Sequence, residues 1–192
     1  MPKESTLRSM VLCLFLVCLV CSALLGGVYV LTKGKIDQEQ IRKTNNAIAL
    51  VTPEFDNAPS SEKMSVEIDG KDITVYPARK GGQTVGYAVE SFTSKGFSGT
   101  INIMVGFDMD GNIIGTSVLS HSETPGLGAK MTEPAFYTQF IGKNPASFRL
   151  AVRKDGGDVD AITASTITSR AYCDAVDRAY RVFQTIMDNT SK

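Results

Sequence analysis

The chain has 192 residues, with 20 Lys+Arg against 20 Asp+Glu, one His, four Cys and no Trp; 43% of the residues are apolar and 21% charged. That length holds one globular domain, the apolar share rules out disorder, and the balanced charge argues against a nucleic-acid binder, which normally carries a basic excess to neutralise phosphates. The apolar residues are unevenly placed: residues 10–31 contain no Asp, Glu, Lys, Arg, Asn, Gln or Pro, whereas everything after Thr32 is mixed and polar.

Behind an N-terminal flank of residues 1–9, the apolar run of about 22 residues gives about 33 Å of helix, enough to cross a hydrocarbon core of about 30 Å. Residues 10–32 are therefore read as a transmembrane helix. A cleaved signal peptide is the alternative, since Lys3 and Arg8 precede the run, but its apolar core is usually only about 7–15 residues long. Lipidation is not expected, because Cys13, Cys18 and Cys21 follow the bulky Leu12, Val17 and Val20. Lys33, Lys35, Arg42 and Lys43 after the run outnumber Lys3 and Arg8 before it, and counting alone mildly favours a cytoplasmic C-terminal part. Cys173 is the one cysteine outside the apolar stretch, so no disulfide forms within the soluble part and the compartment is not fixed by cysteine usage.

Residues 33–62 read as a membrane-proximal helix and linker: Ile36, Ile41, Ala47, Ile48 and Leu50 recur at loosely helical spacing up to Pro53, and residues 54–62 follow as a loop with Pro59, Ser60 and Ser61. Residues 63–192 form the remaining domain. Ile73 and Val75, then Val85, Tyr87 and Val89, then Ile101, Ile103, Val105 and Phe107 alternate as half-buried strands do. Residues 108–112 (DMDGN) separate the last run from Ile114, Thr116 and Val118, as a hairpin turn would. They also resemble the start of a calcium loop, but the twelfth residue from Asp108 is Leu119, where a bidentate Glu is needed. Near the C-terminus Tyr172, Val176, Ala179, Tyr180, Phe183, Ile186 and Met187 make one helical stripe, expected to pack on the sheet.

Three segments carry possible chemistry. Residues 160–169 (DAITASTITS) crowd five hydroxyls before the last helix; Thr166, Thr168 and Ser169 suit capping of its free amides, and the same helix start suits a phosphate. Residues 121–130 (HSETPGLGAK) follow a strand and carry two glycines and a proline that demand a fixed backbone path. This is either a ligand loop or an ordinary surface connection; no paired nucleophile, base and orienting acid stands near it, and one His with one free Cys does not build a usual zinc site. Residues 96–99 (GFSG), taken alone, are a turn.

In this order behind an anchor, GFSGTINIMVG (96–106), HSETPGLG (121–128) and DAITASTITS (160–169) resemble the FMN-binding domain family, in particular two membrane-anchored flavoproteins: the G subunit of the Rnf electron transport complex and the C subunit of the Na+-translocating NADH:quinone reductase (Nqr). The resemblance runs from about Lys33 to the C-terminus, and the shortness of the chain favours the Rnf protein. It implies an α+β fold, a mainly antiparallel sheet packed by helices. In this family a Ser-Gly-Ala-Thr segment, a residue and Thr commonly close the site; the acceptor Thr, matched by Thr166, carries FMN through a phosphoester installed from FAD by a separate flavin transferase. Thr163, Ala164 and Ser165 stand where Ser, Gly and Ala are usual; Asp160, Thr168 and Ser169 match. By the same resemblance Glu123, Thr124, Gly126, Leu127 and Gly128 lie beside the flavin ring, with Leu127 packing and Glu123 and Thr124 as polar contacts. The implied protein is a single-pass redox component of the bacterial inner membrane with its C-terminal domain on the periplasmic side. It relays electrons through covalent FMN beside the other membrane subunits of an ion-translocating oxidoreductase complex. The alternatives are an Nqr-type C subunit and a non-flavinylated, membrane-anchored binding or assembly module of the same fold.

Overall fold

The computed structural model describes residues 7–190; the part of the N-terminal flank with Lys3 lies outside them. The chain divides into two compact units, Met1–Arg42 and Lys43–Lys192. Helix α1, Leu7–Val51, begins in the first unit and ends in the second. In the first unit the large apolar side chains from Leu7 to Leu31 are all exposed. Among the described residues this helix exposes apolar groups all round, and its length and composition suffice to cross a membrane.

The second unit is built on a five-stranded antiparallel meander: β1 Met64–Ile68, β2 Lys71–Lys80, β3 Gln83–Thr93, β4 Ile101–Asp108 and β5 Ile113–Ser120, in sheet order β1-β2-β3-β4-β5. Two-residue turns close the first two hairpins, Asp69-Gly70 and Gly81-Gly82, with φ positive at all four residues. Such turns match the twist of paired strands. At the DMDGN hairpin Asp108 Oδ1 accepts the Asp110 and Asn112 amides and Oδ2 accepts the Asn112 side chain. The carboxylate is thus spent on the turn itself.

One sheet face carries Ile73, Val75, Tyr87, Val89, Ile103, Val105 and Phe107 into the main core. Helix α3, Thr166–Thr190, follows a short α2, Pro134–Tyr137, and lays Tyr172, Val176, Ala179, Phe183 and Ile186 against that face, with Phe107 and Phe183 stacked at 5.1 Å. Each such side chain contributes about 1.5–3 kcal/mol when withdrawn from water. The edge of this contact is polar: Ser91 Oγ donates to the Ala175 carbonyl, and Thr93 Oγ1 and Lys95 Nζ donate to Asp174. The segment between β5 and α3 fills the rest of the core through Met131, Phe136 and Phe140, and the two rings meet Tyr172.

The opposite face receives the end of α1, where Ala47, Ile48 and Val51 pack on Tyr76, Ala88 and Met104. Gly106 and Gly115 face each other across β4 and β5 directly under Val51. A β-carbon on Gly106 would overlap the Val51 carbonyl oxygen, a backbone atom with nowhere to go. Gly106→Ala is therefore expected to destabilise the domain by about 2 kcal/mol or more, measured as a lowered thermal midpoint of the detergent-solubilised chain. A midpoint equal to wild type would show that the seat of Val51 on this glycine is not as tight as described.

Candidate functional site

Strand register brings the three motif segments to one end of the sheet. Thr93 pairs with Ile101 and Asn102 with Ser120, so residues 94–100 and the segment leaving β5 emerge side by side. The N-terminus of α3 lies beside both, through contacts made by one buried carboxylate. Glu123, 5% exposed, accepts the Ser98 amide on Oε1 (3.0 Å) and the Thr168 hydroxyl on Oε2 (2.6 Å). Gly96 and Gly128 make room for it: a β-carbon on Gly96 would come to 2.9 Å from Oε1, and one on Gly128 would collide with Oε2 and reach 2.7 Å from Thr168 Oγ1.

The loop after β5 is shaped by its own backbone. His121 Nδ1 accepts the Glu123 amide, the Thr124 carbonyl accepts the Leu127 and Ala129 amides, and Gly126 turns at φ +75°. The lone histidine is thus a turn-forming residue. Before α3, Ser165 donates its amide to the Ile162 carbonyl, and Ala164 between them sits at φ +61°, in the left-handed region. A side chain there costs about 1–2 kcal/mol relative to the ordinary helical region, so the turn is held by what surrounds it. Ser169 Oγ does part of that work, accepting the Ile162 amide and donating to the Ser165 carbonyl.

These bonds correct the expectation that Thr166, Thr168 and Ser169 cap the helix. Thr168 and Ser169 turn their hydroxyls to Glu123 and to the preceding turn, and among the described residues the Thr166 hydroxyl has no hydrogen-bond partner. The amides of Thr166, Ile167 and Thr168 likewise take no protein acceptor among the described residues. Three unpaired N–H groups at the start of a 25-residue helix present partial positive charge to the cleft in front of them.

That cleft, about 340 Å³, is lined by Phe97, Glu123, Thr124, Leu127, Gly128, Ala164, Ser165, Thr166, Ile167 and Thr168. It unites the three segments. Of the residues expected from sequence, Thr163 and Gly126 do not line it: Thr163 is exposed in the turn, and Gly126 is the positive-φ residue before Leu127. Phe97 and Ile167 are the additions, 69% and 48% exposed, and with Leu127 at 44% they form an apolar rim. Cys173, 2% exposed, takes no part; burial pushes its thiol up to about 12, which keeps it protonated.

A free hydroxyl and three free amides on one wall, with exposed apolar side chains around them, fit a ligand with a phosphate at one end and a flat ring at the other. Comparison with known proteins shows the family to which the chain belongs. Residues 96–181 match the FMN-binding domain and residues 1–51 the RnfG N-terminal region. The class of protein is therefore an FMN-binding domain behind an apolar N-terminal helix. The G subunit of the ion-translocating oxidoreductase complex of Aliivibrio fischeri is 35% identical over 94% of this chain and 92% of its own length. The Pasteurella multocida protein of the same description is 38% identical over 86% and 88%, and that of Haemophilus influenzae 33% over 85% and 83%. The chain belongs to this family of G subunits. Its fold is that of the C subunit of the Na(+)-translocating NADH-quinone reductase from Parabacteroides distasonis (TM-score 0.57, 23% identity, 80% of this chain and 96% of that one) and of Shewanella oneidensis NqrC (0.50, 24%, 72% and 68%).

Ala164 occupies a backbone conformation that glycine adopts without strain. Ala164→Gly is expected to raise stability by about 0.5–1 kcal/mol, the relieved strain exceeding the added flexibility of the unfolded chain; a denaturant titration with unchanged slope measures it. A lower midpoint would mean that the alanine methyl makes a contact worth more than the strain.

Proposed function

We propose that this protein is the membrane-anchored flavoprotein of an ion-translocating oxidoreductase complex and that its FMN is esterified to Thr166. Membership of the G-subunit family supports the first part, and the hydroxyl inventory of the cleft supports the second. Thr168 is 1% and Ser165 8% exposed, Ser169 is fully buried and bonded on both sides, and Thr163 lies off the cleft. Among the hydroxyls of residues 160–169, Thr166 alone combines a place on the wall, partial exposure and an unengaged hydroxyl; Thr124, also exposed and unengaged in the lining, stands on the loop after β5, not on the helix start with its free amides. That single observation carries the assignment.

FMN, when bound, supplies a redox group that accepts electrons from one partner and passes them to the next. The residues supply retention and environment. Esterification uses the Thr166 hydroxyl, and the amides of Thr166, Ile167 and Thr168 stabilise the phosphate charge that remains. Phe97, Leu127 and Ile167 offer apolar surface to the ring, while Thr124 and Ser165 add polar groups to the lining. A covalent link also removes dissociation as a route of loss, which matters most on the side of the membrane where free FMN is not replenished. This favours a periplasmic domain, with residues 10–32 as the span, residues 33–62 leading to the flavin domain at 63–192, and a flavin transferase and the other members of the complex as partners.

Two outcomes follow. On a denaturing gel under ultraviolet light, the chain co-expressed with a flavin transferase is expected to fluoresce, and Thr166→Ala to be dark. A dark wild-type band would favour the non-flavinylated binding module instead. In intact spheroplasts, protease added outside should digest the domain; protection until lysis would place it in the cytoplasm.

A further inference from the structure

Thr168 poses a problem of selection. It lines the same cleft as Thr166, two residues further along the same helix, and a flavin transferase meets both hydroxyls in one segment. Their environments differ: Thr168 is 1% exposed, its Oγ1 donates to Glu123 Oε2 at 2.6 Å and is shut in by Gly128, whereas Thr166 is partly exposed and its Oγ1 is unengaged. We propose, building on the assignment of FMN to Thr166, that Glu123 is the positioning residue that selects the esterified hydroxyl: it withholds Thr168 and, through Ser98, holds the loop that walls the cleft.

The selection works in two ways. The hydroxyl hydrogen of Thr168 is committed to a buried carboxylate, a charge-assisted bond that is stronger than an ordinary one. An ester on Thr168 would also place an anionic phosphoryl group against that carboxylate with little water between them, and like charges in a dry site repel strongly. At Thr166 the unpaired amides of the helix start are at hand for the phosphoryl. In the transfer itself the threonine oxygen forms a bond to the FMN phosphorus of FAD, the phosphoanhydride bond breaks, AMP leaves, and the hydroxyl proton passes to a base on the transferase or to water. No oxidant or reductant is needed. Glu123 acts by deciding which oxygen is available.

Glu123→Gln isolates the charge from the shape. The amide oxygen still accepts the Ser98 amide, but its nitrogen donates toward Thr168, which releases the hydroxyl hydrogen and removes the repulsion. Full-length chains co-expressed with a flavin transferase and mapped by peptide mass spectrometry should carry the flavin mass on Thr166 alone in wild type and nowhere in Thr166→Ala. They should carry it on both Thr166 and Thr168 in Glu123→Gln, and on Thr168 in the Thr166→Ala/Glu123→Gln double variant. Thr168 bare in both glutamine variants would overturn the proposal, and so would an ester on Thr168 while Glu123 is present. Loss of the Thr166 ester in Glu123→Gln would also overturn it, leaving Glu123 a scaffold that selects nothing.

A wild-type chain without flavin would sink the assignment of function, and the clamp is then judged on its own. Hydrogen exchange at the Ser98 amide should be about tenfold faster in Glu123→Ala than in wild type. Equal rates would overturn the proposal with or without a flavin.

Discussion

A carboxylate that is 5% exposed stands between three pieces of chain that are distant in sequence. Removing a charge from water is costly unless polar partners replace the lost hydration. Glu123 finds them in the Ser98 amide and the Thr168 hydroxyl, and the glycines at 96 and 128 leave free the space its oxygens occupy. The cleft is the by-product of this arrangement. With its depth closed by the Glu123 cluster, what remains at the surface is the open start of α3 and the apolar rim of Phe97, Leu127 and Ile167.

The rest of the fold delivers these pieces to one place. Regular pairing of β3, β4 and β5 puts the GFSG and HSETPGLG segments next to each other, and the burial of one α3 face against the sheet fixes where its first turn lies. On the other face, the Gly106 and Gly115 seat accepts the end of α1. The two faces therefore divide the work, one holding the helix that begins at the site and the other holding the last turns of the helix that starts in the apolar segment.

Much of this was legible in the residues. Alternation found β2 to β5, the stripe found α3, and composition found the apolar half of α1, because each signal is local and periodic. Strand β1 escaped, although Asp69-Gly70 is a strong hairpin dipeptide, since Met64, Val66 and Ile68 form a short run with only partial burial. The three motifs singled out by family resemblance meet at one cleft, but the hydrogen bonds among them were not legible. Glu123 read as a polar neighbour of the ring, and the structure adds that its two oxygens accept from Ser98 and Thr168. Phe97 read as part of a plain turn and is instead an exposed wall. The Glu123 bonds have no local signature, since they join residues 25 and 45 positions apart.

A covalent flavin on one specified hydroxyl is the claim that ties fold, site and family together. Intact-mass measurement of the native full-length chain, followed by fragmentation of the peptide that contains residues 160–170, tests it without assuming any partner or activity. An added mass equal to one FMN less one water, localised to Thr166, is the predicted result. An unmodified peptide in every molecule, or a flavin mass on any other residue, would contradict it.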